Sequence, residues 1–236
     1  MMVEDTPDVG SSTVELVHYF RFNNVDLDDW IVTADVQSMY PNTNLNSAME
    51  KASLELTNSI ENIIPLNIIR NLVKLGLEYT TFSFNNKNYL RVEGVPMGSP
   101  AGPVLAVINI QKIIENNMPN TNNKFKMFKM YIDYEITIID KGIERDEISG
   151  LLDSLLTDTD NPKLRWDRDS FKIFKIRDLT SNDLDFLDIS IFVENIGISN
   201  TTRLKTKVYC KELGKYEYPH WNSCHPPALK RAIIKG

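Results

Sequence analysis

The segment FKMYIDYEITII, residues 128–139, constrains the fold more than any other part of the sequence. Mostly apolar residues lead up to Asp133 and mostly apolar residues follow it, which indicates two buried strands joined by a tight turn. The turn lacks the Asn-Gly or Asp-Gly pair that favours two-residue hairpins. The segment is therefore either an ordinary hairpin or a strand pair that holds a carboxylate over a metal ion.

Helical and extended segments alternate along the rest of the chain. Hydrophobic spacing predicts helices over 44–60, 104–118 and 144–157, with another that starts at Pro65. Strand patterns occur at 30–36, in a hairpin around Asn85-Asn86, and in the stretches FKIFKIRD, LDFLDISIFVE and RLKTKVYCKE. This order predicts an α+β fold, with a mostly antiparallel sheet and helices packed on one face.

The charge of the chain is unevenly distributed. The net charge of -6 includes eight Lys or Arg against two acids from Thr201 to Gly236, so the first 200 residues are strongly acidic. A basic end of this kind is either a solvated surface or a surface that binds a polyanion such as nucleic acid.

Two classes of protein are disfavoured by the sequence. The N-terminal MMVEDTPDVGSS has neither a basic region nor an apolar core, and no apolar stretch is long enough to span a membrane. The 2 cysteines do not make a disulfide framework. We therefore expect an intracellular protein in a reducing compartment.

Two aspartates end strands that are otherwise apolar, Asp35 in WIVTADV and Asp133 in the central hairpin. Either residue alone is most simply a turn former. Together at one sheet edge they would repel each other, and the pKa of one would rise unless a cation lay between them. Oxygen ligands of this kind suit Mg²⁺, which binds one or two carboxylates together with substrate phosphates.

Two further features lie close to these strands in sequence. Tyr40 follows Asp35 by five residues and is either a core aromatic or a wall beside a bound sugar. The loop GVPMGSPAGP contains Gly98 and Gly102, which permit close backbone approach, and Pro103, which suits the first turn of a helix. No Gly-Lys-Ser/Thr follows, so the loop is not a P-loop.

These segments occur in an order that resembles a reverse transcriptase palm, nearest to the Penelope-like retroelement polymerases. The motifs are TADVQSMYPN, GVPMGSPAGPVLAVIN, YIDYE, LDFLDISI, and VYCK with SCHPPALKR, spanning about Ile31 to Lys235. The resemblance implies a right-hand polymerase palm that makes DNA on an RNA template. It implies Mg²⁺ or Mn²⁺ as cofactor, and an RNA template, a DNA primer and deoxynucleotides as partners.

The resemblance also implies roles for individual residues. Asp35 and Asp133 would be the catalytic, metal-binding carboxylates, with the Val36 carbonyl as a further metal ligand. Tyr40 would exclude a ribose 2′-OH from the nucleotide site. The loop residues Met97, Gly98 and Ser99 would contact the template strand and the incoming nucleotide. The FLD segment, 186–188, would lie on the primer-grip side of the palm.

The sequence departs from the family pattern in three places. The hairpin of the family has two adjacent aspartates, and here the second is Tyr134, which supplies no carboxylate at neutral pH. Glu135 is acidic, but side-chain alternation directs it to the opposite face. The remaining two departures are a short, acidic N-terminal segment and a thumb that stops after one incipient helix. We therefore expect a fingers remnant at 1–30, a palm at 31–220 and the start of a thumb at 221–236.

Other interpretations compete with this one. Cys210, His220, Cys224 and His225 are zinc-ligand types, although their spacing is not that of a standard zinc finger. Aromatic and basic residues between 211 and 221 could grip a single strand or pack under the sheet. The alternative function is a non-catalytic module that keeps the palm fold and binds nucleic acid or protein. A palm without fingers and thumb would expose apolar surface, so we also expect self-association.

Overall fold

The computed structural model describes residues 8–9, 12–59, 65–78, 80–121, 123–194, 196–197 and 199–209. The helices are α1 (Thr13–Phe22), α2 (Met39–Asn42), α3 (Leu45–Ser59), α4 (Leu66–Glu78), α5 (Ala101–Asn117) and α6 (Arg145–Leu155), with 3-10 turns at Met118–Thr121 and Ile176–Thr180. The strands are β1 (Asp8–Val9), β2 (Val25–Asp26), β3 (Trp30–Val36), β4 (Thr81–Phe84), β5 (Lys87–Leu90), β6 (Phe125–Tyr131), β7 (Tyr134–Ile139), β8 (Trp166–Lys175), β9 (Leu184–Phe186), β10 (Ile189–Phe192), β11 (Thr201–Thr202) and β12 (Lys205–Val208).

The largest sheet has five strands in the order β1-β6-β7-β3-β8. Its central strand β3 pairs antiparallel with β7 on one side and with β8 on the other, and only β1 runs parallel to its neighbour. Smaller sheets are β12-β10-β9, β11-β2 and the β4-β5 hairpin. The prediction of an α+β fold with a mostly antiparallel sheet is therefore confirmed.

Side chains of β3 alternate between two cores on opposite faces of this sheet. Val32, Ala34 and Val36 pack with the buried residues of α5 and α6. Ile31 packs on the other face, with the buried residues of α1 and of the β9-β10 hairpin. This strict alternation places Asp35 on the face opposite α5 and α6, at the end of the strand.

Most predicted elements are present, with shifted ends. Strand β8 begins at Trp166, five residues before the predicted FKIFKIRD stretch. The segment LDFLDISIFVE is two short strands, because Leu187 adopts the left-handed conformation (φ 52°) and reverses the chain. Helix α5 starts at Ala101, so Pro103 lies in its first turn as expected.

The acidic N-terminal segment contains an ordered helix. Ser12 and Glu15 form a capping box at the start of α1, in which each side chain accepts the backbone N–H of the other residue. Leu16 and Phe20 of this helix are buried against the same core as Ile31. Assignment of residues 1–30 to a fingers remnant stays a prediction, as do the palm limits 31–220. The zinc-type residues, the aromatic cluster and the thumb segment 221–236 lie outside the described residues, which end at 209.

Candidate active site

Two aspartates meet at the edge of the sheet where β3 ends. Asp35 is the penultimate residue of β3, and Asp133 lies in the two-residue turn between β6 and β7. The Val36 N–H donates to the Asp133 carbonyl at 2.8 Å, which joins the turn to the end of the central strand. The Val36 side chain is buried in the core, so only the backbone of Val36 faces the site. The structure thus brings together the three residues predicted to bind metal.

The turn that carries Asp133 is conformationally strained. Its first residue, Ile132, has a φ of 57°, a region that β-branched residues rarely adopt. Ile132 also packs against the apolar core between the sheet and helices α5 and α6, which we call the helical-side core. Strain of about 1–3 kcal/mol of this kind concentrates at functional sites, where the surrounding structure maintains it. The absence of Asn-Gly or Asp-Gly in the sequence therefore marks an unusual turn.

The electrostatic environment of Asp35 is unfavourable for a negative charge. Burial raises the pKa of Asp35, and the charges of Asp133 and Asp167 raise this pKa further. Asp167 lies on β8 directly across from Asp35 in the strand register. Asp167 was not predicted from the sequence, because a strand that begins with alternating charged residues gives no apolar pattern. A bound cation would relieve the repulsion among these carboxylates.

Tyr134, where the resemblance predicts a second aspartate, contributes to the packing of the molecule. Tyr134 lies directly across from Asp35 on β3. Its ring stacks on Phe186 with centroids 4.8 Å apart and an interplanar angle of 12°. The phenol pKa is raised by burial, and the neighbouring Asp35 charge adds to this increase. Tyr134 therefore contributes a neutral aromatic wall at neutral pH.

Glu135 takes no part in this site. It pairs with Ala34 and Met130 on the neighbouring strands, both of which are buried in the helical-side core. The side chain is 0% exposed, and neither of its carboxylate oxygens has a hydrogen-bond partner among the residues that the structure describes. The structure thus agrees with the expectation that strand alternation directs Glu135 away from Asp35.

Tyr40 lies in the short helix α2, half-buried against the helical-side core. Burial raises the pKa of Tyr40, and the charge of Asp133 raises it further. The Tyr40 carbonyl accepts a hydrogen bond from the Val95 N–H at 2.8 Å. Gly94 lies so close that a Cβ there would come within 2.6 Å of the Pro41 carbonyl oxygen. The glycine loop is therefore attached to Tyr40 at its base.

The tip of the same loop is open to solvent. Met97 is 73% exposed, and Gly98 has a φ of 98° with open space where a Cβ would be. The Ser99 carbonyl accepts a hydrogen bond from the Gly102 N–H, with an N···O distance of 3.1 Å. Gly102 itself is tightly packed, since a Cβ would come within 2.4 Å of the Pro96 carbonyl oxygen. Close approach is thus required at Gly102, whereas at Gly98 it is the backbone conformation that requires glycine.

Few side chains at this sheet edge could bind a metal ion. Among the described residues, no group of three or more His, Cys, Asp or Glu side chains is arranged to hold a metal ion. A cleft of about 710 Å³ is lined mainly by residues between Asp153 and Asp169, including Asp167, and its lining includes neither Asp35 nor Asp133. A pair of carboxylates with a backbone carbonyl fits Mg²⁺, which keeps several waters and completes its coordination with substrate phosphates.

A central strand and an adjacent hairpin thus bring two aspartates to one edge of a mostly antiparallel sheet, with α5 and α6 packed on one of its faces. Solved structures similar to this chain include telomerases, and the low identities show a reverse-transcriptase-like fold alone. No family model matches the chain, and no curated protein matches it.

Three of these telomerase structures give the extent of the likeness. Telomerase from Candida albicans, in complex with a fragment of telomeric RNA, has a TM-score of 0.61 at 14% identity over 79% of this chain. Apo telomerase from Candida tropicalis, truncated from its C-terminal domain, has a TM-score of 0.61 at 14% identity over 86%. A second apo structure from Candida tropicalis gives 0.58 at 12% identity over 79%. The matches cover 33%, 41% and 35% of the telomerase chains.

No described helix has both the length and the apolar content needed to cross a lipid bilayer.

Proposed function

We propose that this chain is a reverse transcriptase palm, related to the Penelope-like polymerases, that adds deoxynucleotides to a DNA primer on an RNA template. The observation that carries the proposal is the pairing of Asp35 and Asp133 at one edge of a reverse-transcriptase-like fold. Activity is weak, because Tyr134 occupies the position of the second hairpin aspartate. The telomerases of similar fold support the polymerase class, and one of them was solved with RNA.

Asp35, Asp133 and the Val36 carbonyl would hold Mg²⁺ or Mn²⁺. When bound, the metal would stabilise the charge that develops as the primer 3′-hydroxyl attacks the nucleotide α-phosphate. The raised pKa of Asp35 supports this assignment, because burial and the nearby charge of Asp133 disfavour the ionised form of Asp35 and a bound cation would offset both effects.

The remaining predicted residues select and position the substrate. Tyr40, tied to the glycine loop through Val95, would stand against the sugar and exclude a 2′-hydroxyl. Met97, Gly98 and Ser99 would offer an exposed surface to the template base and the incoming nucleotide.

The alternative function is a non-catalytic module that keeps the palm fold and binds nucleic acid or protein. The Tyr134–Phe186 stack favours it, because an aromatic ring has replaced a metal ligand and contributes to packing. Nucleic-acid binding through the basic end of the chain should weaken steeply with salt. A binding module needs no metal between Asp35 and Asp133.

Primer extension on an RNA template with Mg²⁺ or Mn²⁺ tests the enzyme directly. We expect weak extension by the unmodified chain and none by Asp133→Ala. Tyr134→Asp should extend faster by about tenfold, which corresponds to about 1.4 kcal/mol of transition-state stabilisation. Asp146→Ala, an exposed aspartate on α6, is the matched control and should leave extension unchanged. Absence of extension from both the unmodified chain and Tyr134→Asp would favour the binding module.

A further inference from the structure

The pairing of β3 with β8 is interrupted next to the candidate site. Thr33 pairs with Lys172 and Asp35 pairs with Asp167, so β8 uses the four residues 168–171 where β3 uses one. A bulge of this size bends its strand and leaves backbone groups of the partner strand without ladder bonds. The question is how the backbone of Asp35 is held where the ladder is broken.

Ser170 provides the missing hydrogen bond. Its Oγ accepts the Asp35 N–H at 2.8 Å, and its hydroxyl donates to the Asp167 carbonyl at 2.6 Å. The next N–H along the strand, that of Val36, points the other way and donates to the Asp133 carbonyl at 2.8 Å. The end of β3 is thus clamped on both sides, by the hairpin turn and by a serine side chain of β8.

The same short segment also fixes the position of Asp167. The Asp169 N–H donates to the Asp167 carboxylate at 3.2 Å, and the Ser170 hydroxyl holds the Asp167 carbonyl. One hydroxyl therefore bonds to the backbone of both acids that face each other across β3 and β8. Because Ser170 is half-buried, solvent substitutes poorly for this bond.

We propose that Ser170 is a positioning residue for the Asp35 carboxylate, and that its hydroxyl sets the geometry with which Asp35 and Asp133 bind a divalent cation. The inference rests on the proposed function, in which these two carboxylates hold Mg²⁺ or Mn²⁺. Ser170 acts through Asp35 and contacts no substrate. Some residues hydrogen-bond to metal ligands without binding the metal themselves. Their replacement typically lowers metal affinity by about 10–100-fold.

The test is a Mn²⁺ titration of the full 236-residue chain, followed by the electron paramagnetic resonance signal of free Mn²⁺. Ser170→Ala should weaken Mn²⁺ binding by about tenfold, and Ser170→Thr, which keeps the hydroxyl, should restore it. Asp35→Asn removes one of the two carboxylates, so it measures the Mn²⁺ binding that does not depend on the candidate site. Thr137→Val is the matched control, since it removes another side-chain bond to a backbone carbonyl in the same sheet, from Thr137 Oγ1 to Met127 at 2.5 Å.

Amide hydrogen exchange separates positioning from a general loss of stability. In Ser170→Ala the Asp35 amide should lose protection while amides in the middle of β7 keep theirs. Thr137→Val should lose overall stability and retain wild-type Mn²⁺ affinity. Wild-type Mn²⁺ affinity in Ser170→Ala, with binding lost in Asp35→Asn, would overturn the positioning role alone. Equal binding by the unmodified chain and Asp35→Asn would overturn the metal pair of the proposed function, and the role of Ser170 with it.

Discussion

Two neighbouring residues on β7 lie in contrasting environments. Tyr134 lies on the face of the candidate site, whereas Glu135 lies on the other face among apolar neighbours. Both oxygens of Glu135 are buried without a hydrogen-bond partner. Burial raises the pKa of Glu135 well above its ordinary value, so the folded protein favours the neutral acid. Within the described part of the chain, no hydrogen bond stabilises this carboxyl group.

Replacement of this buried carboxyl should therefore stabilise the protein. Glu135→Leu should raise the free energy of unfolding by about 1–3 kcal/mol, because an unsatisfied polar group is exchanged for an apolar one. The gain depends on pH, since the pKa of Glu135 is higher in the folded than in the unfolded state. The wild-type protein keeps full stability below the ordinary pKa and loses stability as the pH rises toward the raised one. Urea unfolding at pH 5 and pH 8 measures both effects.

Glu135→Gln is the matched control for the charge. The amide does not ionise, so its stability should lose the pH dependence at this position while the buried polar group remains. A wild-type unfolding free energy that is as independent of pH as that of Glu135→Gln would contradict the raised pKa.

At the scale of elements, two hairpins meet through one aromatic contact. The β6-β7 hairpin carries Asp133, and the β9-β10 hairpin contains the predicted primer-grip segment. The stack of Tyr134 on Phe186 joins them, and Phe186 is itself buried. A stacked aromatic pair contributes about 0.5–1.5 kcal/mol beyond the burial of its surface. Tyr134, at the position where the resemblance predicts a second aspartate, thus forms a packing contact between these hairpins.

Restoring the aspartate should consequently destabilise the fold. Tyr134→Asp should lower the free energy of unfolding by about 2 kcal/mol, because the stack is lost and a further carboxylate faces Asp35. Saturating Mg²⁺ should recover part of this loss, since a cation relieves the added repulsion. Urea unfolding with and without Mg²⁺ measures the change, and Tyr134→Phe, which keeps the stack, is the control. Equal stability of Tyr134→Asp and Tyr134→Phe without metal would refute the packing role.

The sequence predicted those parts of the site that follow from local patterns. Asp35 and Asp133 end apolar strands, and strand alternation alone placed Glu135 on the opposite face. Asp167 and Ser170 were not predicted, because the β8 bulge is set by pairing with β3, which no local pattern records. In the sequence, the strained turn at Ile132 was indicated only by the absence of the Asn-Gly or Asp-Gly pair that favours two-residue turns. The residues that the sequence did not predict are therefore those placed by pairing between strands that are distant in the chain.

At the scale of the whole molecule, apolar side chains are distributed unevenly over the surface. Exposed large hydrophobic residues recur on α4 and on the β4-β5 hairpin with the loop that follows it: Ile68, Leu72, Leu75, Phe82, Phe84, Tyr89, Leu90, Val92 and Met97. On α4 they recur at the spacing of a single helix face. Exposed apolar residues grouped on one helix face are typical of an interaction surface. The predicted self-association has its best structural basis here.

Leu72 and Leu75 allow this prediction to be tested without disturbing the core, because they are 63% and 68% exposed. The unmodified chain should sediment as a mixture of monomer and larger species at micromolar concentration. The double variant Leu72→Lys with Leu75→Lys should shift it toward monomer with a melting temperature unchanged within a few degrees, since surface substitutions typically change stability by less than about 0.5 kcal/mol. Val14→Lys, at a 74% exposed position on α1, is the control and should leave association unchanged. A monomeric unmodified chain would refute the prediction, and equal loss of association in the Val14→Lys control would show that added charge, rather than the α4 face, is responsible.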